Sequence, residues 1–187
     1  ELAVHIADVG HFAPPGGALD REARNRATSV YLPQRVLPMF PELISNHLAS
    51  LQPDRVRYVK SVFISFTPQG QKTAVRFANG AIRSKPRFAY EEVMHLLEQG
   101  NADASIPAPI YDMLLRMRDL AMILRKRRKK RGSLELQMPE AELEYDREGR
   151  VIGGYFRKND ISHQIIEEFM LAANEGVAER LDSLGVP

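Results

Sequence analysis

Residues 56–82 constrain the fold more than any other stretch of this chain. Val56 and Tyr58, then Val62, Ile64 and Phe66, alternate with polar residues at the period of a strand. Pro68-Gln69-Gly70 is a turn signal, and Thr73 to Ile82 returns as a second strand. Two strands joined so closely form a hairpin, so the sheet that holds them is antiparallel there.

The other elements read from the same two periods. Leu2 to Val9 alternates as a strand, and Pro14-Pro15-Gly16-Gly17 turns the chain. Ala18 to Thr28 carries Leu19, Ala23 and Ala27 as a narrow apolar stripe on a charged helix. Between Leu32 and Pro53 stand Pro33, Pro38, Pro41 and Pro53, which predict extended and looped chain with one short helix at Leu43–Ala49. Tyr90 to Glu98 reads as a short helix and Gly100 to Pro107 as a loop. Ile110 to Arg131 is the clearest helix, with Ile110, Met113, Leu114, Met117, Leu120, Ala121 and Leu124 on one face and Gly132 just past its end. Leu134, Leu136 and Met138 alternate. Leu143-Glu144-Tyr145 and Val151–Phe156 flank a turn at 146–149, with Gly153-Gly154 read as a strand break, and Ile161 to Leu184 is the last long helix. The expected architecture is one mixed α/β (α+β) domain over residues 1–187, with a largely antiparallel sheet, hairpins and flanking helices.

Composition excludes several classes. No apolar run approaches the roughly 18 residues of a membrane span. Cysteine is absent, which removes disulfides and thiolate metal sites and fits a cytoplasmic protein. The five histidines show no zinc-site spacing with companion ligands, so no histidine-based metal site is expected. No nucleophile elbow, Walker loop or dinucleotide-binding glycine pattern is present. The chain opens at Glu1 inside an alternating run, without Met or a basic lead, and is therefore expected to be a piece of a longer protein.

Net charge is only +2, yet Arg125 to Arg131 are all basic. One reading is a solvated helix end whose cations complement the helix dipole. The other is a nucleic-acid contact, in which a few of the seven reach phosphates, since a helical run cannot turn every residue to one backbone. On the last helix, a spacing of about 100° per residue places Gln164, Glu168, Glu175, Glu179 and Asp182 on a polar face, with Glu168 expected to face solvent. Ile165, Phe169, Ala172 and Ala173 form the adjacent apolar face. Glu167 falls on the far side near His163, where a sheltered carboxylate needs partners. It is either structural, including a His163–Glu167 pair at i, i+4, or a carboxylate pointing into a ligand channel. Tyr31 and Tyr90 stand at loop junctions, Tyr90 just after Arg83-Ser84-Lys85-Pro86-Arg87; they either pack or stack on bases. Asp8 is expected to hydrogen-bond the turn that follows it.

The stretches VHIADVGHF (4–12), ALDREARNRATSVYLP (18–33), VLPMFPELISN (36–46), IRSKPRFAYEEV (82–93), RGSLELQMPE (131–140) and SHQIIEEFMLAANEGVAERL (162–181) occur together and in order. They resemble the catalytic domain of the ribonuclease II and ribonuclease R (RNB) family. The resemblance implies magnesium-dependent hydrolysis of single-stranded RNA from its 3′ end, releasing nucleoside monophosphates. It implies metal-holding aspartates upstream of Glu1, so no catalytic residue is expected in this segment, and flanking OB-fold RNA-binding domains outside it. It implies RNA contacts for Tyr31 and Tyr90, on a base far from the cleaved end and near the scissile phosphate respectively. Glu167 corresponds to a glutamate at the terminal nucleotides, and Leu136 stands where the family usually has a clamping phenylalanine. The expected partner is single-stranded RNA, with no membrane and a monomeric state. Two readings remain open: a segment of an active exoribonuclease, and an RNA-binding segment of an inactive relative.

Overall fold

The computed structural model describes residues 1–32, 34–100, 106–134, 141–156 and 159–186, with the side chains of 141 and 142 left aside. Its frame is an antiparallel sheet of three strands: β1 (Leu2–Ala7), β4 (Val56–Phe66) and β5 (Lys72–Arg83), in the order β1-β4-β5. β2 (Val30–Leu32) pairs with β3 (Arg35–Leu37) as a separate hairpin, as does β6 (Ala141–Tyr145) with β7 (Val151–Phe156). The helices are α1 (Ala18–Arg26), α2 (Tyr90–Gln99), α3 (Ala108–Lys130) and α4 (Ile161–Ser183). The mixed, antiparallel architecture expected from the sequence is the one observed.

The hairpin that anchors the sequence reading forms in register from Val56↔Arg83 to Ile64↔Val75, with an irregularity at Ser65/Phe66. Alternation then decides what each face meets. Val62 and Ile64 are buried with Ala173 of α4. Gly176 belongs to the same contact: a Cβ there would lie 3.3 Å from Val75 Cγ1, so the missing side chain lets α4 settle on the sheet. A second cluster joins Leu2 of β1, Ala121 of α3, and Ile165 and Phe169 of α4. α4 is thus the shared wall between the sheet and α3.

The β4–β5 turn is held against α3 as well. Gly70 has φ +74°, and a Cβ there would come within 2.5 Å of Ile123 Cγ2. Both the left-handed backbone and the close approach require glycine. At α2, the Glu92 carboxylate accepts the Ala89 N–H at 2.6 Å, satisfying a backbone donor at the helix start.

Four local expectations need correction. The proline-rich stretch is not merely extended, because Tyr31 and Val36 pair across the β2–β3 hairpin; the short helix is there, as a π-helical segment at Leu43–Leu48. Gly153 and Gly154 do not break a strand but pair within β7 with Glu144 and Leu143. The first strand ends at Ala7, and Val9–His11 form a 3-10 turn. Asp8 does not bond that turn through its side chain: Oδ2 lies 3.4 Å from Lys60 Nζ, and Oδ1 is buried with no hydrogen bond.

Candidate nucleic-acid interface

α4 begins with a cap that also organises its neighbours. Asp160 is the N-cap, accepting from the backbone N–H of Ser162 at 3.0 Å and of His163 at 3.4 Å. The same Oδ1 lies 2.9 Å from His163 Nδ1. An ionised carboxylate only accepts, so on this bond the imidazole Nδ1 carries the proton. Burial works to raise the Asp160 carboxyl, but the hydrogen bonds from Ser162 and His163 outweigh it and hold the group below the usual carboxylate range.

Fixed in this way, the His163 ring lies under Tyr90, the first residue of α2. The ring centroids are 3.9 Å apart and the planes differ by 14°, a stacked pair. Glu167 follows His163 by one helical turn on α4 and so shares its side of the helix. The structure therefore brings two of the sequence candidates, Tyr90 and Glu167, to one side of α4, with His163 between them in the chain.

Glu167 is half-exposed, and its partner is not the histidine four residues earlier. Arg128 Nη2 donates to Glu167 Oε1 at 3.1 Å, and Arg125 Nη1 lies 3.8 Å from Glu167 Oε2. Glu168 overturns the expected solvent-facing placement. Its side chain is 3% exposed, and it accepts from Arg128 Nε at 3.0 Å and Nη2 at 2.6 Å. The reason is visible in the spacing: Ile161, Ile165, Glu168, Phe169 and Ala172 recur at helical intervals along the buried stripe. Glu168 sits at the edge of that stripe where α3 arrives, and a buried carboxylate there is tolerated because a guanidinium comes with it.

The basic run consequently has a third role beside the two that the sequence suggested. Arg125 and Arg128 turn inward to Glu167 and Glu168, and Arg131 Nη2 reaches Glu175 at 3.1 Å. Lys126, Arg127, Lys129 and Lys130 remain on the exposed side of the helix end. The signal that could have revealed the inward set is the spacing of three arginines at i, i+3 and i+6, matched by acids along α4.

Tyr31 is carried by a different element. It lies on β2 with 78% of its surface exposed. The turn of that hairpin is tied to the β6–β7 turn by Gln34 Nε2, which donates to the Gly149 carbonyl at 2.7 Å. Leu136, the fourth candidate, falls outside the described residues. The sequence reading gave no separate role to Asp160, Arg125 or Arg128, all of which orient this face.

Among the described residues no group of three or more His, Asp or Glu side chains is arranged to hold a metal ion. The acids that the magnesium expectation brings into question do not fit one. Asp8 faces Lys60, and Asp20 accepts from the Gly16 N–H at 2.9 Å and from Arg24 Nε at 3.1 Å. Among the described residues no helix is long and apolar enough to cross a membrane.

The RNB domain model matches residues 1–187. Ribonuclease R of Thermotoga maritima is 40% identical over 187 residues, which is 100% of this chain and 26% of that protein. Ribonuclease R of Mycoplasma genitalium, solved in complex with double-stranded RNA, superposes with a TM-score of 0.93 at 34% identity, covering 98% of this chain and 33% of that one. The same enzyme solved with ribose-methylated single-stranded RNA gives a TM-score of 0.92 at 34% identity, covering 98% of this chain and 28% of that one. The chain thus spans about a quarter of the length of the curated relatives it matches, 26% in the case above.

Proposed function

This chain belongs to the RNB domain family, and from that premise we propose that it is part of the catalytic domain of a hydrolytic 3′-to-5′ exoribonuclease acting on single-stranded RNA. The observation that carries the reading is the match of the RNB domain to every residue of the chain. The two RNA complexes of the Mycoplasma genitalium enzyme support RNA as the ligand. The stacked Tyr90–His163 pair and half-exposed Glu167 on one side of α4 support a wall of the RNA path there.

In this reading Tyr90 works near the scissile phosphate and Glu167 contacts the terminal nucleotides. Tyr31, exposed on its hairpin, offers a flat face to a base farther along the strand, which is how aromatic residues hold single strands without reading sequence. Leu136 presses on the last bases, less well than an aromatic ring would. The whole protein uses magnesium, which when bound supplies an activated water and stabilises the leaving oxygen. Its ligands lie outside residues 1–187, so this segment forms channel walls and is inactive alone. A cytoplasmic setting fits a chain with no cysteine.

The test compares the full-length protein with the 187-residue segment on a labelled single-stranded oligonucleotide. The full-length protein releases mononucleotides with magnesium and stops when the ion is chelated, whereas the segment releases none. Mononucleotide release by the segment would refute the division of labour. No release by the full-length protein under any divalent condition would refute the enzyme reading and leave the RNA-binding one.

A further inference from the structure

The geometry points to His163 as a positioning residue for Tyr90: stacked beneath the tyrosine and held by Asp160, it sets where Tyr90 stands against bound RNA. The inference rests on the reading of Tyr90 as an RNA contact and adds a residue to that site.

Three observations lead to it. First, the contact is a parallel stack at 3.9 Å and 14°, so the imidazole face fixes both the height and the tilt of the phenol ring. Second, the imidazole is not free to rotate. Its Nδ1 is bonded to Asp160 Oδ1 at 2.9 Å, and Asp160 is itself fixed as the cap of α4, through the Ser162 N–H at 3.0 Å and Ser162 Oγ. A ring whose edge is bound in this way is pre-oriented, and so is the ring stacked upon it. Third, Tyr90 opens α2 while His163 lies in the first turn of α4. The stack is therefore a tertiary contact across two helix N-termini and not a consequence of either helix alone.

The alternative is that the pair only packs two helices together. The two differ in what a replacement must keep. A positioning role needs a flat ring at 163; a packing role needs volume. In the full-length protein, His163→Ala lowers kcat/KM on a single-stranded oligonucleotide by about 3- to 10-fold, the worth of one aromatic pair, with the loss falling on kcat more than on KM. His163→Phe keeps the ring face but loses the bond to Asp160, so it recovers part of the activity, while His163→Leu keeps neither and recovers none. In a Tyr90→Ala background, His163→Ala costs less than about twofold more, because the residue it positions is gone.

Losses that multiply in the double variant, or equal activity of the Phe and Leu variants, would overturn the inference while leaving Tyr90 as an RNA contact. Full activity of Tyr90→Ala would remove the premise, and the inference with it. Should His163→Ala fail to fold, the Phe–Leu comparison decides alone, since both fill the space and only one offers a ring.

Discussion

Glu168→Ala tests the account of α4 most directly, because the two adjacent glutamates should respond with very different losses of stability. Glu168 is 3% exposed and bound twice by Arg128, whose side chain is itself only 19% exposed. Removing the carboxylate takes from a sheltered guanidinium the partner it holds at 2.6 Å. Breaking a buried pair from one side costs about 3–5 kcal/mol. Glu167 stays within 3.1 Å of Arg128 and recovers part of this, so the lower end, about 3 kcal/mol, is expected. For a chain of this size that corresponds to a fall of roughly 6–12 °C in Tm. Glu167 is 39% exposed, and its truncation should cost about 0–1 kcal/mol, as exposed ion pairs do. Thermal and urea unfolding of both variants give the comparison. A third variant, Arg128→Met with Glu168→Leu, removes both charges together and should recover most of the stability, because apolar replacement of a buried pair is neutral or better. If Glu167→Ala and Glu168→Ala destabilise equally, or the double replacement is no better than Glu168→Ala, the buried-pair reasoning fails.

Other measurements bear on separate links. On RNA turnover by the full-length protein, Glu167→Ala should lower kcat/KM when assayed at a temperature where the variant is fully folded; unchanged kinetics would count against its contact with the terminal nucleotides. Tyr31→Ala should change the length of the final undigested oligonucleotide on a sequencing gel without shifting Tm by more than about 1 °C, since exposed residues contribute little to stability. Asp160 is held below its ordinary range in the folded state, so its contribution is full above the unfolded carboxyl pKa of about 3.9 and is lost as pH falls through the folded value. Asp160→Asn should therefore flatten the acid limb of the stability–pH curve; an unaltered limb would contradict the capping network. Gly70→Ala should cost about 2 kcal/mol or more, from a left-handed backbone and a methyl forced onto Ile123, and a neutral result in denaturant melts would show that the turn relaxes.

The fold was legible where a period and a turn signal agreed. Val56–Phe66 and its return strand were readable because alternation, the Pro-Gln-Gly turn and β-branched residues all point the same way. α3 was readable for the same reason, from its apolar face and Gly132. Pairing between short segments was not. Val30–Leu32 and Arg35–Leu37 are three residues each, too short for alternation to register, and prolines around them argued for loop. Gly153 and Gly154 misled because glycine in a strand has two meanings, an interruption or room for a neighbour. Here a Cβ at Gly153 would meet the Glu144 carboxylate at 3.1 Å, so the glycine makes room for the facing side chain. In the candidate site, Tyr31, Tyr90 and Glu167 stood out by position and helix face, but that left their roles open, and the roles came from the family resemblance.

Glu168 shows what a helical wheel leaves out. The wheel assigns a face from the chemistry of one helix, and by that rule two adjacent glutamates differ only by about 100°. Burial is decided by what a second helix brings. α3 carries Arg125 and Arg128 one turn apart, and these meet α4 where its apolar stripe ends. One guanidinium then serves both acids: it neutralises Glu168 inside and tethers Glu167 at the edge. If Glu167 contacts RNA as proposed, a cation behind it is an advantage, because the negative field it sets against the phosphates is partly cancelled. The inward half of the basic run is thus committed to the carboxylates of α4, and the outward half, at Lys126, Arg127, Lys129 and Lys130, stands on the exposed side of the helix end.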